Sequence, residues 1–188
     1  MSPAQVSMAR RFIAGRGLSE RVTCIEADYC DLPDTLQPAD VAYAIESFVH
    51  GPAPERFFAQ CRRLINPGGL LVICDDVTKT GTSPGAANAI EEFKNGWHIN
   101  TLLTRDQLVR LAGVHGFEHQ STTDLTPFLE LGRLRDRAIA AGVALLKRLP
   151  FRPENFDYLV GGDALQTCLA NGWLGYELNA FRAGAARP

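Results

Sequence analysis

A carboxylate and an imidazole stand four residues apart in Ala44-Ile-Glu-Ser-Phe-Val-His50. Glu46 and His50 are the side-chain types that take up and pass on protons near neutral pH. They follow the apolar run Asp40-Val-Ala-Tyr-Ala-Ile45, which reads as a strand covered on both faces of a parallel sheet. In open α/β sheets, ligands sit beyond the carboxyl ends of the strands, so this elbow is a candidate site. Ser47 is small enough to let a ligand approach closely. Two further acidic points end apolar runs: Asp28-Tyr29 after Arg21 to Ala27, and Asp75-Asp76 after Leu70 to Cys74. The plain reading of Asp28 is a turn-forming aspartate. Adjacent carboxylates on an extended chain point to opposite faces and chelate poorly, so Asp75-Asp76 reads as a solvated strand end, with metal or substrate contact as the alternative.

The elements that would position these groups follow from periodicity. Ser2-Pro3-Ala4-Gln5 is a helix start with a capping box, and Gly15 and Gly17 end that helix. Arg21 to Ala27 is then a strand. After the elbow, Pro52 and Pro54 open an amphipathic helix with Phe57, Phe58, Cys61, Leu64 and Ile65 on one side. Asn66-Pro67-Gly68-Gly69 turns into a buried strand from Leu70 to Cys74. Residues 78–100 start irregular, with a helix over Ile90 to Trp97. Thr104-Arg-Asp-Gln107 is a second capping box, before a helix that ends at His115-Gly116. A strand follows over Glu118 to Asp124. Pro127 to Leu149 is amphipathic, with Arg133, Arg135, Arg137, Lys147 and Arg148 outward, and Pro150 and Pro153 stop it. A short helix over Asp163 to Asn171 and a strand over Gly175 to Arg182 complete the chain. Alternating strands and helices with short loops predict right-handed crossovers and a parallel sheet.

Length and composition set the limits. The 188 residues suffice for one domain with a core, and 46% hydrophobic with 21% charged residues is ordinary for a globular protein. A net charge of -2 gives no electrostatic reason for nucleic acid as a partner. The five cysteines are odd in number, widely spaced and without a CxxC pair. They read as reduced core residues of a cytoplasmic protein, with no metal. No run is long and apolar enough to span a bilayer, so no stable membrane anchoring is expected.

Four segments in order, Ala27-Asp-Tyr-Cys-Asp-Leu-Pro33, Asp40 to His50, Arg62 to Val77 and Leu108 to Glu118, resemble the class I S-adenosylmethionine-dependent methyltransferases. The likeness is greatest to the sterol, tocopherol and prenyl-diphosphate C-methyltransferases. It implies an α/β, Rossmann-like fold: a mostly parallel sheet with flanking helices and a helical lid insertion. It implies one partial domain over 1–188, with 78–100 and 126–172 as the lid. The family's opening strand, its glycine-rich loop and the acidic end of its second strand have no match here. The resemblance therefore implies an N-terminally truncated fold, with the first two strands absent and a two-strand gap between Val22 and Val41. A chain of that kind would hold the cofactor weakly and expose sheet edges.

The resemblance also implies roles. S-adenosyl-L-methionine would be bound through Asp28 at the adenine amino group, Tyr29 beside the ring, and the backbone of Ala44 and Ile45. Glu46 would be the base or cation stabiliser, with a backbone or loop contact as the alternative. His50 would orient Glu46, contact the substrate or act as base; equally, it is a partly exposed loop histidine. Ser47, Trp97, His98 and Phe128 would line the pocket of a small apolar acceptor, the aromatic ones alternatively being core. The basic outer face of 129–149 is a solvated helix surface or a contact for a diphosphate or membrane. Methyl transfer to carbon leads. The alternatives are an O-methyltransferase of a natural-product pathway and a non-catalytic remnant that self-associates through sheet edges as a homo-oligomer. A nicotinamide-dependent Rossmann enzyme would need a fingerprint that is missing.

Overall fold

The computed structural model describes residues 3–79, 84–147 and 155–185. Ser2, Arg148, Pro150 and Pro153, expected at helix ends, lie outside the described residues. Helix α1 (Pro3–Gly15) comes first, followed by strand β1 (Ala39–Ile45), helix α2 (Pro54–Leu64) and strand β2 (Ile65–Thr78). Next come α3 (Pro84–Trp97), α4 (Arg105–Val114), strand β3 (Phe117–Asp124), α5 (Leu134–Leu146), α6 (Phe156–Ala170) and strand β4 (Leu174–Ala183).

The strands form one sheet in the order β1-β2-β4-β3. Only β1 and β2 pair parallel; β4 runs antiparallel to both β2 and β3. Three of the four strands, β1, β2 and β3, thus run the same way, as expected of a mostly parallel sheet, and β4 is reversed. The physical reason is that β4 returns from a long helical stretch and enters between β2 and β3 in the reverse direction, which strand-helix alternation cannot reveal. Arg21 to Ala27 forms no strand. A strand needs a neighbour for its N–H and C=O groups, and among the described residues none lies beside it; only an isolated bridge joins Asp28 and Asp31.

The Pro-Gly-Gly segment also differs from expectation. α2 passes directly into β2, and Pro67-Gly68-Gly69 is an irregularity within the strand. The β1–β2 register shifts there, from Ala39↔Ile65 to Val41↔Leu70. Gly68 has φ +81°, and a Cβ on Gly69 would lie 2.7 Å from the Asp40 carbonyl oxygen. Both positions therefore demand glycine.

One face of the sheet carries the core. Ala44, Leu71, Ile73, Phe181 and Ala183 pack under Phe57 and Phe58 of α2 and Leu108 and Ala112 of α4. α4 begins with the expected capping box: Gln107 N–H donates to Thr104 Oγ1, and the Gln107 side chain accepts from Thr104 N–H. A second core joins α3, α6, Val49 and Leu174 near the carboxyl ends of β1 and β2. The other face is more open. Val41, Tyr43 and Ile45 of β1 are exposed, Tyr43 to 73%, which corrects the expectation of a strand covered on both faces.

This asymmetry is testable by urea unfolding. Phe58 is fully buried among Phe48, Phe57, Phe117 and Phe181. Phe58→Ala should destabilise by about 3–5 kcal/mol. Tyr43→Ala should cost under about 1 kcal/mol, as expected for a surface position.

Candidate functional site

The elbow is held from below by a buried carboxylate. Asp75, at the end of β2, is 3% exposed. Its Oδ2 accepts from Ser47 N–H at 3.0 Å and Val49 N–H at 3.2 Å, and its Oδ1 accepts from Asp76 N–H at 3.1 Å. Burial pushes its pKa up, opposed by those backbone donors. The expectation of a solvated strand end is therefore corrected. Glu46 takes the left-handed conformation, φ 47°, that lets the chain leave β1 and turn over Asp75. Such backbone strain in a residue with a side chain recurs at functional sites. Its N–H donates to Cys74 O at 3.0 Å.

Tyr29 ties the Asp28 loop to this elbow. Its hydroxyl donates to Ser47 O at 2.8 Å, and its ring meets Phe57 edge-on at 5.7 Å. Burial raises its pKa to about 12, so it remains a neutral donor. Asp28 is exposed and spends Oδ1 on Cys30 N–H at 2.8 Å, the turn geometry of its plain reading; Oδ2 has no hydrogen-bond partner among the described residues. Ala44 is buried in the core beneath, and Ile45 is exposed. Of these residues, Tyr29 is the one that bonds to the elbow, through the Ser47 carbonyl.

Beyond the elbow lies a cavity of ≈ 240 Å³. Glu46, His50, Asp75, Asp76, Glu130, Gln166 and Tyr176 give it polar lining, and Val49, Trp97, Ile99, Leu129, Leu131, Leu165 and Leu169 give it apolar lining. Tyr176 Oη donates to Glu46 Oε1 at 3.1 Å. Burial, with Cys74 and Glu46 close by, raises the pKa of that phenol. Asp76 shares the cavity and has its pKa pushed up to about 7, first by burial and then by the charges of Asp75 and Glu46.

The structure brings Glu46, His50 and Trp97 of the expected residues into this cavity. Trp97 is fixed by a hydrogen bond from Nε1 to Tyr158 O at 3.1 Å and by stacking on Tyr158 at 5.3 Å. His98, at φ 55°, lies in an adjoining cavity that His50 and Trp97 share, and its carbonyl stands 3.4 Å from His50 Nδ1. Ser47 contributes backbone bonds rather than cavity wall. Phe128 is 77% exposed and lines neither cavity. Asp76 and Tyr176 were missed as site residues. Asp76 stands next to Asp75 in sequence, and nothing in its local pattern announces that both are covered. A second network also escaped: Glu177, 1% exposed, accepts from Lys79 Nζ at 2.7 Å and Arg105 Nη2 at 2.6 Å.

Residues 1–73 match the family model described as a methyltransferase domain. The methyltransferase GfsG of Streptomyces halstedii is 30% identical over 146 residues, covering 78% of this chain and 49% of that protein. The 24-methylenesterol C-methyltransferase 2 of Oryza sativa subsp. japonica is 28% identical over 124 residues, 64% of this chain and 34% of that protein. The chain thus spans about half the length, or less, of these curated relatives. Among solved structures, the O-methyltransferase of a trans-AT PKS multienzyme from Brevibacillus brevis, in complex with S-adenosyl-L-homocysteine, superposes with a TM-score of 0.71. It covers 97% of this chain and 56% of that one at 16% identity, a likeness of fold.

The two carboxylates should separate in thermal melts. The folded pKa of Asp76, about 7, stands above its unfolded value near 3.8. The stability this group contributes is therefore present below about pH 4 and lost as pH rises through 7. Asp76→Asn should remove that loss, so the Tm of the variant should overtake that of the wild type between pH 5 and 8. Asp75→Asn should instead cost about 1–3 kcal/mol at neutral pH, because its amide cannot accept from Asp76 N–H while it serves the elbow.

Proposed function

We propose that this chain, which has the class I methyltransferase fold and is a relative of the S-adenosylmethionine-dependent methyltransferases, transfers a methyl group to a small, largely apolar metabolite, with carbon favoured as the acceptor atom. The observation that carries this reading is the cavity beyond the elbow, whose lining combines carboxylates with aliphatic and aromatic side chains. Apolar walls select an apolar acceptor by burying its surface. Carboxylates in the same space stabilise positive charge and accept a proton, which methylation of carbon requires and methylation of an ionised oxygen does not.

S-adenosyl-L-methionine supplies the electrophilic methyl when bound. Asp28 and Tyr29 would hold its adenine side, and Ala44 and Ile45 would form the floor of its cleft. Glu46, steadied by Tyr176, serves as base or cation stabiliser; His50 lines the same space and is available to orient the acceptor. Trp97 and the leucines exclude water and hold the acceptor in line, which is where most of the rate enhancement of a displacement arises. The helical segments over 78–100 and 126–172 act as the lid. O-methylation remains the second reading. His50, exposed at the cavity mouth, has the chemistry to deprotonate a hydroxyl, and the Brevibacillus brevis neighbour is an O-methyltransferase.

Incubation with ¹³C-methyl-labelled S-adenosylmethionine and a panel of prenyl alcohols and sterols decides between these readings by NMR of the product. A carbon-bound label with a roughly 100-fold loss in Glu46→Gln supports the proposal. An oxygen-bound label, abolished in His50→Gln, supports the alternative. No label in any acceptor overturns both.

A further inference from the structure

Two carboxylates face the cavity from different elements, and their surroundings differ. Glu46, on the elbow, receives the Tyr176 hydroxyl at 3.1 Å. Asp76 lies directly opposite Tyr176 in the antiparallel β2–β4 ladder. Opposed residues share a sheet face, so Asp76 and Tyr176 project toward the same space. No hydrogen bond to the Asp76 carboxylate occurs among the described residues, whereas Asp75 has both oxygens engaged by backbone N–H groups. On the far side, Asn179 is 1% exposed and lines a water-sized cavity of ≈ 10 Å³ with Asp75 and Asp76. Its Nδ2 lacks a hydrogen-bond partner. That buried donor favours negative charge on the Asp75 side of the pair and leaves Asp76 as the member that takes up a proton.

We propose that Asp76 is the proton acceptor of the pocket, while Glu46, held by Tyr176, faces the positive charge. This rests on the methyl-transfer reading and divides between two residues the roles that reading gives to Glu46. An alkene acceptor would use its π pair to form the new carbon–methyl bond as the sulfonium–methyl bond breaks, the bonding pair leaving with the neutral thioether, and the adjacent carbon becomes cationic. The C–H bond beside that carbon then breaks. Its electron pair forms the new alkene, and the proton moves to an Asp76 oxygen and from there to solvent. A base works best when its pKa lies near the working pH. With a value of about 7, Asp76 can both accept and release the proton at neutral pH. Asp75 on β2, Glu46 and His50 on the elbow, Glu130 between β3 and α5, Tyr176 on β4 and Cys168 on α6 are the titratable groups that share its cavity or act on it. Burial, and then repulsion by Asp75 and Glu46, keep the value high.

The test needs no turnover. Hexyltrimethylammonium carries a fixed positive charge on an apolar chain and stands in for the cationic intermediate. Its binding is followed by calorimetric titration from pH 5.5 to 8.5, with hexanol as the neutral control. Wild-type affinity should rise about tenfold as Asp76 loses its proton, with hexanol unaffected. Asp76→Asn should bind more weakly at pH 8 and show no rise. Glu46→Gln and Tyr176→Phe should bind more weakly throughout yet keep the rise. The proposal is overturned if wild type fails to bind the ammonium, if Asp76→Asn keeps the full rise, or if Glu46→Gln loses it. Asp76→Ser repeats the measurement should the asparagine variant not fold. Methyl incorporation is read separately, so loss of the methyl-transfer reading would show as absent label while the ammonium titration stays interpretable.

Discussion

The contact between Asp75 and the backbone of the elbow is the one on which the site depends. A carboxylate almost wholly removed from water is costly unless donors surround it. Here three backbone N–H groups do so, those of Ser47, Val49 and Asp76. The same bonds satisfy N–H groups that the irregular turn Phe48–His50 would leave without partners. The elbow is therefore fixed to the end of β2 rather than left as a loop on β1. Everything displayed from it inherits that position: Glu46 toward Tyr176, the Ser47 carbonyl toward Tyr29, Val49 into the second core.

From this follows the unequal character of the two walls beside the elbow. On the acceptor side, α3, α6 and β4 close around the cavity. α3 and α6 cross tightly because Gly96 and Gly161 meet there; a Cβ on Gly161 would stand 2.7 Å from Trp97 Cδ1. That crossing sets Trp97 against both Tyr158 and the cavity. On the donor side, the Asp28 loop reaches the elbow through a single side-chain bond from Tyr29, and β1 presents Tyr43 and Ile45 to solvent. One side is packed on several elements, the other on one, and a site with that imbalance gains more rigidity from its acceptor wall.

Where residues act locally, the sequence was informative. Thr104 and Gln107 announce a capping box because the motif's two bonds lie within one turn, and the box forms. The apolar runs at Asp40, Leu70 and Gly175 become strands because each finds a partner. The Val22 run has equal β propensity and remains irregular, since pairing is a property of neighbours and not of a segment. The same limit hid half of the site. Glu46 and His50 stand out by spacing on one turn. Asp76 and Tyr176 are 100 residues apart in the chain and meet only through the β2–β4 register. Glu177 reads as an ordinary charge in an alternating strand. Its burial is tolerated because Lys79 and Arg105, from two other elements, bring their charges to it, and their hydrogen bonds hold its pKa down against the desolvation that would raise it.

The origin of the cavity walls bears on what the site can distinguish. The elbow lies within residues 1–73, the stretch that matches the methyltransferase domain model. Trp97, Ile99, Leu129, Leu131, Leu165 and Leu169 all lie outside it. The elbow carboxylate Glu46 thus comes from the stretch that matches that model, whereas Asp76, Tyr176 and the apolar lining come from outside it. Apolar walls discriminate weakly, by about 1–3 kcal/mol for each methylene that fits or fails to fit. Carboxylates discriminate more sharply, because they favour any species that carries positive charge beside them and disfavour one that brings a further anion. In such a pocket the aliphatic residues set the size of the acceptor. On the proposed reading, Glu46 and Asp76 select for the charge that develops on the acceptor, and that selection acts on the transition state rather than on the resting substrate.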